Sequence, residues 1–123
     1  MKKILIIDDD LTFQKTMSAK LKLLAYDVVS AYDGEEGLSK AGTEHPDLIL
    51  LDIRMPKLDG LSLLKKLQSD KDEAAKIPVL ITSNLADAGN ISEGVLLGIR
   101  GYIVKSNETL QTIVTAVESV LNS

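Results

Sequence analysis

Five short apolar runs punctuate the chain: Ile4-Leu5-Ile6-Ile7, Val28-Val29, Leu48-Ile49-Leu50-Leu51, Val79-Leu80-Ile81 and Tyr102-Ile103-Val104. None alternates apolar with polar positions, so each predicts a strand covered on both faces, as in a parallel sheet. The second run is the weakest and gives way to Ser30, which fits an edge strand. Between the runs the period lengthens. Phe13, Met17, Leu21 and Leu24 recur at helical spacing and make one apolar stripe, and Leu110, Ile113, Val114, Val117, Val120 and Leu121 make another. The stretch from Asp59 to Asp70 turns Leu61, Leu64 and Leu67 to one side and Lys65 and Lys66 to the other. Residues 34–43 and 86–98 are weaker helical stretches, because Gly37, Gly89, Gly94 and Gly98 lower helix propensity. Pro46 and Pro78 each precede a strand, where an extended predecessor suits them.

Strand and helix thus alternate five times. A (βα)5 order implies right-handed crossovers and helices on both faces. The expected architecture is α/β: a doubly wound five-stranded parallel sheet with the flavodoxin-like order 2-1-3-4-5. A ligand crevice then belongs at the C-terminal strand ends, near the switch between strands 1 and 3.

Composition narrows the chemistry. A chain of 123 residues, 45% hydrophobic and 26% charged, suits one globular domain over residues 1–123. There is no cysteine, which excludes disulfide scaffolds, Cys-based zinc sites, iron–sulfur clusters and thiol nucleophiles. His45 is the sole histidine, so no His-rich metal site can form. It precedes Pro46 in the loop before strand 3, at the end away from the crevice. A net charge of −4 argues against nucleic-acid binding, and no apolar run reaches the roughly 20 residues that span a bilayer. Lys20, Lys22 and Lys40 read as a solvated face. The chain is expected to be cytoplasmic.

The chemistry-bearing residues follow the strands. Strand 1 runs into Asp8-Asp9-Asp10, strand 3 into Asp52, strand 4 into Thr82-Ser83-Asn84 and strand 5 into Lys105. Singly each has a structural reading: Asp10 before Leu11 fits a helix N-cap, a lone Asp52 could close a strand, and Ser83 and Lys105 could be loop residues. Their convergence on one rim carries the functional reading. Clustered carboxylates repel one another and supply the hard oxygen ligands that Mg²⁺ takes. A nearby lysine offsets charge and can grip a phosphate, and a hydroxyl can donate to a phosphoryl oxygen. The set reads as a phosphoryl-transfer pocket with a carboxylate nucleophile.

On these residues the whole chain resembles the receiver domain of two-component response regulators. The matching segments are ILIIDDD (4–10), DLILLDIRMPKLDG (47–60), IPVLITSN (77–84) and GYIVKS (101–106), the second being highly specific. The resemblance implies that Asp52 is the phospho-acceptor, taking the phosphoryl group from a phosphohistidine of a sensor histidine kinase or phosphotransfer protein. It implies that Asp8, Asp9, Asp52 and the backbone carbonyl of Arg54 hold Mg²⁺ (or Mn²⁺). Ser83 is then the switch hydroxyl, Tyr102 the aromatic that changes rotamer with it, and Lys105 the phosphate-binding lysine. The output surface is the fourth helix, fifth strand and fifth helix, which meets a downstream effector protein as a monomer or a phosphorylation-dependent dimer. No direct nucleic-acid or membrane partner is implied.

Two positions depart from the usual pattern, and two more are variable ones. Ser106 follows Lys105 where the family often has a cis proline, so either a non-proline cis bond is retained, at about 3–4 kcal/mol, or the loop is reshaped. Asn84 replaces a small residue after the switch hydroxyl, and Arg54 and Leu85 occupy positions that tune dephosphorylation in the family.

Two rival readings stand beside this one. Asp8-x-Asp10-x-Thr12 also matches the signature of haloacid-dehalogenase-type phosphatases, with Asp8 as nucleophile and Asp10 as acid–base. The chain lacks the later acidic pair and the room for a cap that such enzymes have. A pseudo-receiver, keeping the fold without phosphorylation, is opposed by the intact Asp8, Asp9, Asp52, Ser83 and Lys105 set. The chain is read as a signalling phospho-acceptor that assists its own phosphorylation and dephosphorylation, not as an enzyme. It is either a stand-alone regulator or a piece of a longer protein.

Overall fold

The computed structural model describes residues 1–53, 59–69, 76–83 and 98–122. The apolar runs become five strands: β1 (Lys3–Ile7), β2 (Asp27–Ala31), β3 (Leu48–Leu51), β4 (Val79–Ser83) and β5 (Gly101–Val104). They form one parallel sheet, as the alternation predicts, in the expected flavodoxin-like order β2-β1-β3-β4-β5. The three central strands are buried almost throughout, whereas β2 and β5 lie at the edges and are half-buried. The described helices are α1 (Leu11–Leu23), α2 (Gly34–Glu44), α3 (Gly60–Ser69) and α4 (Leu110–Leu121). The helical stretch expected over 86–98 lies outside the described residues.

Strand alternation sorts the core into two layers. Ile4, Ile6, Leu48, Leu50 and Leu80 face α1 and α4, where Phe13, Met17, Leu21, Ile113, Val114 and Val117 close over them. Leu5, Ile7, Ile49, Leu51, Val79 and Ile81 face the other way, against Ala41 of α2 and Leu63, Leu64 and Leu67 of α3. Leu24 does not join its predicted stripe. The helix stops at Leu23, and Leu24, as its C-cap, is 42% exposed. Gly37 weakens α2 as an isolated helix but is required by packing, since a Cβ there would come within 2.7 Å of the Ile7 side chain. Lys40 is not simply solvated: its ammonium donates to the Ser30 carbonyl at 2.6 Å and pairs with Glu36 at 3.2 Å.

Aspartate and threonine caps set where the helices begin. Asp10 accepts from the amides of Thr12 and Phe13, Asp33 from Glu36, Asp59 from Ser62, and Thr109 from Thr112. His45 closes α2 as a C-cap in the left-handed region, at the end of the sheet opposite the strand C-termini. The end of α1 holds a Schellman motif: the Tyr26 amide donates to Leu21 and the Ala25 amide to Lys22, with Ala25 at φ 68°. Glycine adopts that conformation without Cβ strain, whereas an L-residue is penalised by about 1 kcal/mol. Ala25→Gly should therefore raise stability by roughly 0.5–1 kcal/mol, a few degrees in a thermal melt. A lower melting temperature for Ala25→Gly would show that the added freedom of the unfolded chain outweighs the relieved strain.

Candidate functional site

The sheet brings the ends of β1 and β3 side by side. Ile7 is in register with Leu51, the Asp8 amide donates to Ala31, and the Asp52 amide donates to the Ile7 carbonyl at 2.9 Å. Asp8 and Asp52 therefore emerge next to each other at the switch point, with Asp9 one residue on. One carboxylate oxygen from each of Asp8, Asp9 and Asp52 lies within 4.8 Å of the other two. Asp8 is fully buried and Asp52 is 7% exposed, whereas Asp9 is open to solvent.

Lys105, just past β5, supplies the cation. Its ammonium donates to Asp8 Oδ2 at 2.5 Å and lies 3.7 Å from Asp52 Oδ2, with only 9% of the side chain exposed. The other Asp8 oxygen accepts from the Asp10 amide at 2.9 Å. These contacts favour the charged form of Asp8. Burial outweighs them and raises its carboxyl above the ordinary value of 3.8. The bond after Lys105 is trans, and Lys105–Asn107 forms a 3₁₀ turn; of the two alternatives at the missing proline, the reshaped loop is the one observed.

The remaining expected residues fall as follows. Ser83 ends β4, buried and in register with Val104 of β5. Tyr102 sits on β5, half-buried and packed against the layer beneath α2 and α3. Arg54, Asn84 and Leu85 lie outside the described residues. Asp10 caps α1, its Oδ1 accepting from the Thr12 and Phe13 amides, as its place before Leu11 predicts.

Two contributors were not anticipated. Gln14, 2% exposed, directs its amide nitrogen at the carbonyls of Ile6, Asp8 and Ala31 and so ties α1 to the ends of β1 and β2 beneath the site. A polar residue at i, i+3 and i+7 with Met17 and Leu21 lies on the apolar stripe, and that was its signal in the sequence. Phe13, expected only as core, places its ring centroid 4.3 Å from the Lys105 ammonium.

Three carboxylate oxygens this close form a hard, anionic donor set that fits a small divalent cation such as Mg²⁺. Among the described helices, none is long and apolar enough to cross a membrane.

Comparison with known proteins agrees with this geometry. A family model described as "Response regulator receiver domain" matches residues 4–118. The chain is 39% identical over 104 residues to the alkaline phosphatase synthesis transcriptional regulatory protein PhoP of Bacillus subtilis, covering 85% of this chain and 42% of that protein. It is 41% identical over 103 residues to the probable transcriptional regulator ycf27 of Porphyridium aerugineum, covering 84% and 41%. The chain thus spans about two-fifths of the length of these curated relatives. Among solved structures it is similar to a CheY-like response regulator receiver domain protein from Methanospirillum hungatei, with a TM-score of 0.91 and 26% identity over 99% of this chain and 94% of that one. The chemotaxis protein CheY4 of Vibrio cholerae gives a TM-score of 0.87 and 28% identity over 98% of each chain.

Proposed function

The chain belongs to the response regulator receiver domain family of two-component systems, and on that premise we propose that it accepts a phosphoryl group on Asp52 in a Mg²⁺-dependent reaction. The observation that carries this reading is the cluster of Asp8, Asp9 and Asp52 oxygens within 4.8 Å, with the Lys105 ammonium against it at the switch point.

In the proposed reaction an oxygen of the Asp52 carboxylate attacks the phosphorus of a phosphohistidine on a sensor kinase or phosphotransfer protein. The P–N bond breaks, its electron pair stays on the imidazole nitrogen, which takes up a proton, and Asp52 becomes an acyl phosphate. Lys105 is already held between Asp8 and Asp52 and offers its positive charge to a phosphoryl oxygen arriving there. Ser83, at the end of the next strand, supplies a hydroxyl on the same rim. Asp8, Asp9 and Asp52 would hold Mg²⁺, with the Arg54 carbonyl completing the protein ligands. When bound, the ion offsets carboxylate repulsion and the charge of the phosphoryl group. The proposed output is a rearrangement of the surface around residues 86–98, β5 and α4, with Ser83 and Tyr102 as the linking side chains, read by an effector protein in the cytoplasm. Assisted loss of the acyl phosphate, and a monomer that can dimerise when phosphorylated, belong to the same proposal.

Incubation with acetyl phosphate and Mg²⁺, followed by borohydride reduction and mass spectrometry, should label Asp52, and Asp52→Asn should abolish labelling. Label persisting on Asp8 in Asp52→Asn would transfer the nucleophile to the phosphatase reading. Beryllofluoride should move amide resonances in β5 and residues 85–100 as well as in the pocket; shifts confined to the pocket would remove the proposed output surface.

A further inference from the structure

The ring of Phe13 faces an ammonium that the acidic site needs in one place. Lys105 reaches Asp8 and Asp52 from the far end of a flexible side chain, and nothing in four methylene groups fixes that position. The Lys105 ammonium is 2.5 Å from Asp8, 3.7 Å from Asp52 and 4.3 Å from the Phe13 ring centroid. Two carboxylates and one π face therefore bound it. Phe13 is itself well fixed: its amide is capped by Asp10 at 3.1 Å, its side chain is buried in the α1–α4 layer, and the next residue, Gln14, is bonded to three carbonyls of the sheet.

Lys105 has somewhere else to go. Phe13 and Lys105 both line a groove of about 280 Å³ between the start of α1 and the start of α4, and Asp10 and Glu108 line the same groove. Glu108 and the second carboxylate oxygen of Asp10, whose Oδ1 caps α1, would be the alternative partners for an ammonium that turned to that groove. A ring in cation–π range replaces part of the ammonium's hydration and favours the pocket position over the groove.

We infer that Phe13 is a positioning residue for the phosphoryl-acceptor site: its ring holds the Lys105 ammonium on Asp8 and Asp52 and keeps it from turning to the acidic groove. This rests on the proposed role of Lys105 at a phosphoryl group, and adds to it a residue acting only through Lys105. The ring's face carries the effect, so shape and π character can be separated. Phe13→Leu keeps an apolar side chain of comparable reach, and Phe13→Tyr keeps the ring.

The test measures beryllofluoride affinity in Mg²⁺ by NMR titration, with thermal melts to confirm folding. Phe13→Leu should weaken binding roughly tenfold, the scale of a desolvated cation–π contact. Phe13→Tyr should stay within about twofold of wild type on the same scale. In Lys105→Ala, adding Phe13→Leu should cause no further loss, because the double-mutant cycle isolates the pair. A second readout needs no ligand: in EDTA, the Lys105 ε-methylene protons should be ring-shifted upfield in wild type and Phe13→Tyr, and unshifted in Phe13→Leu. Wild-type affinity in Phe13→Leu, or an equal loss in the Lys105→Ala background, would overturn the inference. Absence of beryllofluoride binding by wild type would instead overturn the phosphoryl-acceptor reading, and the ring-shift comparison would still decide whether Phe13 fixes Lys105.

Discussion

Gly60→Ala should destabilise the protein by about 3 kcal/mol or more and remove most phosphorylation of Asp52, although residue 60 carries no functional group. Gly60 opens α3, and its amide donates to the Ile53 carbonyl at 3.0 Å. The first turn of α3 therefore lies directly against the chain leaving β3. A Cβ at position 60 would sit 2.5 Å from the Asp52 carbonyl oxygen, 2.5 Å from Ile53 Cα and 3.0 Å from the Asp52 carbonyl carbon. All three are backbone atoms, so no rotamer change relieves the overlap. Either α3 retreats and loosens Leu63, Leu64 and Leu67, or the end of β3 shifts and carries Asp52 with it. The first route costs core packing, and the second misplaces the proposed nucleophile, where an error of about 1 Å can cost on the order of a hundredfold in rate. Gly42 is the control: a Cβ there meets nothing within 4 Å, so Gly42→Ala should be neutral or stabilise by up to about 1 kcal/mol through helix propensity. Melting curves and acetyl phosphate labelling of the two variants decide it. A Gly60→Ala protein that melts with wild type and labels normally would show that α3 can slide off β3 without consequence.

Gly60 also marks the boundary of what the sequence makes legible. It stands in the DLILLDIRMPKLDG segment and could be matched there, but the reason for glycine is a distance between a helix start and a strand end, which no local pattern encodes. The three central strands were legible because their runs are apolar without interruption, and burial on two faces leaves that trace; β5 shows the same kind of run but lies half-buried at the edge. Parallel pairing followed from the alternation of elements, the expected order 2-1-3-4-5 is the one observed, and that order places Asp8, Asp9 and Asp52 together. Lys105 was legible as a residue type but not as a contact, since only folding shows it bonded to Asp8 and laid over Phe13. Gln14 was passed over because a single amide on an apolar stripe reads as an interruption of it. Its three acceptors come from two strands and exist as a group only once the sheet has formed. Leu24 was over-read for the opposite reason: helical spacing continues one residue beyond the point where the Schellman motif turns the chain.

The largest effect on stability from the acidic residues themselves should come from Asp52→Asn, which should melt above wild type in EDTA. At an effective dielectric near 20, Asp52 is repelled by Asp8 by about 3.5 kcal/mol at the 4.8 Å limit of their oxygens, and attracted by Lys105 at 3.7 Å by about 4.5 kcal/mol. Asp9 adds a further repulsion that its exposure reduces to a fraction. These two pairwise effects are of similar size, and desolvation of a carboxylate on a residue 7% exposed weighs against the charge. A net gain of roughly 1–2 kcal/mol is expected on removing the charge, since Lys105 keeps Asp8 as its partner. Asp9→Ala should gain less, because its carboxylate is solvated. Mg²⁺ should narrow the gap by binding the native wild-type site, by about 1.4 kcal/mol at ten times its dissociation constant. Asp8 gives the pH dependence. Its native carboxyl titrates above 3.8, so between 3.8 and that higher value the folded protein holds a proton that the unfolded chain has released. The Asp8 contribution to stability is therefore full below pH 3.8 and is lost as pH rises through the higher native value. In EDTA, acidification into that window should bring wild type toward Asp52→Asn, because protonated Asp8 no longer repels Asp52. Melts of both proteins with EDTA and with Mg²⁺, from neutral pH downward, test all three signs. Should Asp52→Asn melt below wild type in EDTA, the ion pair with Lys105 outweighs desolvation, and Asp52 is a structural partner before it is a nucleophile.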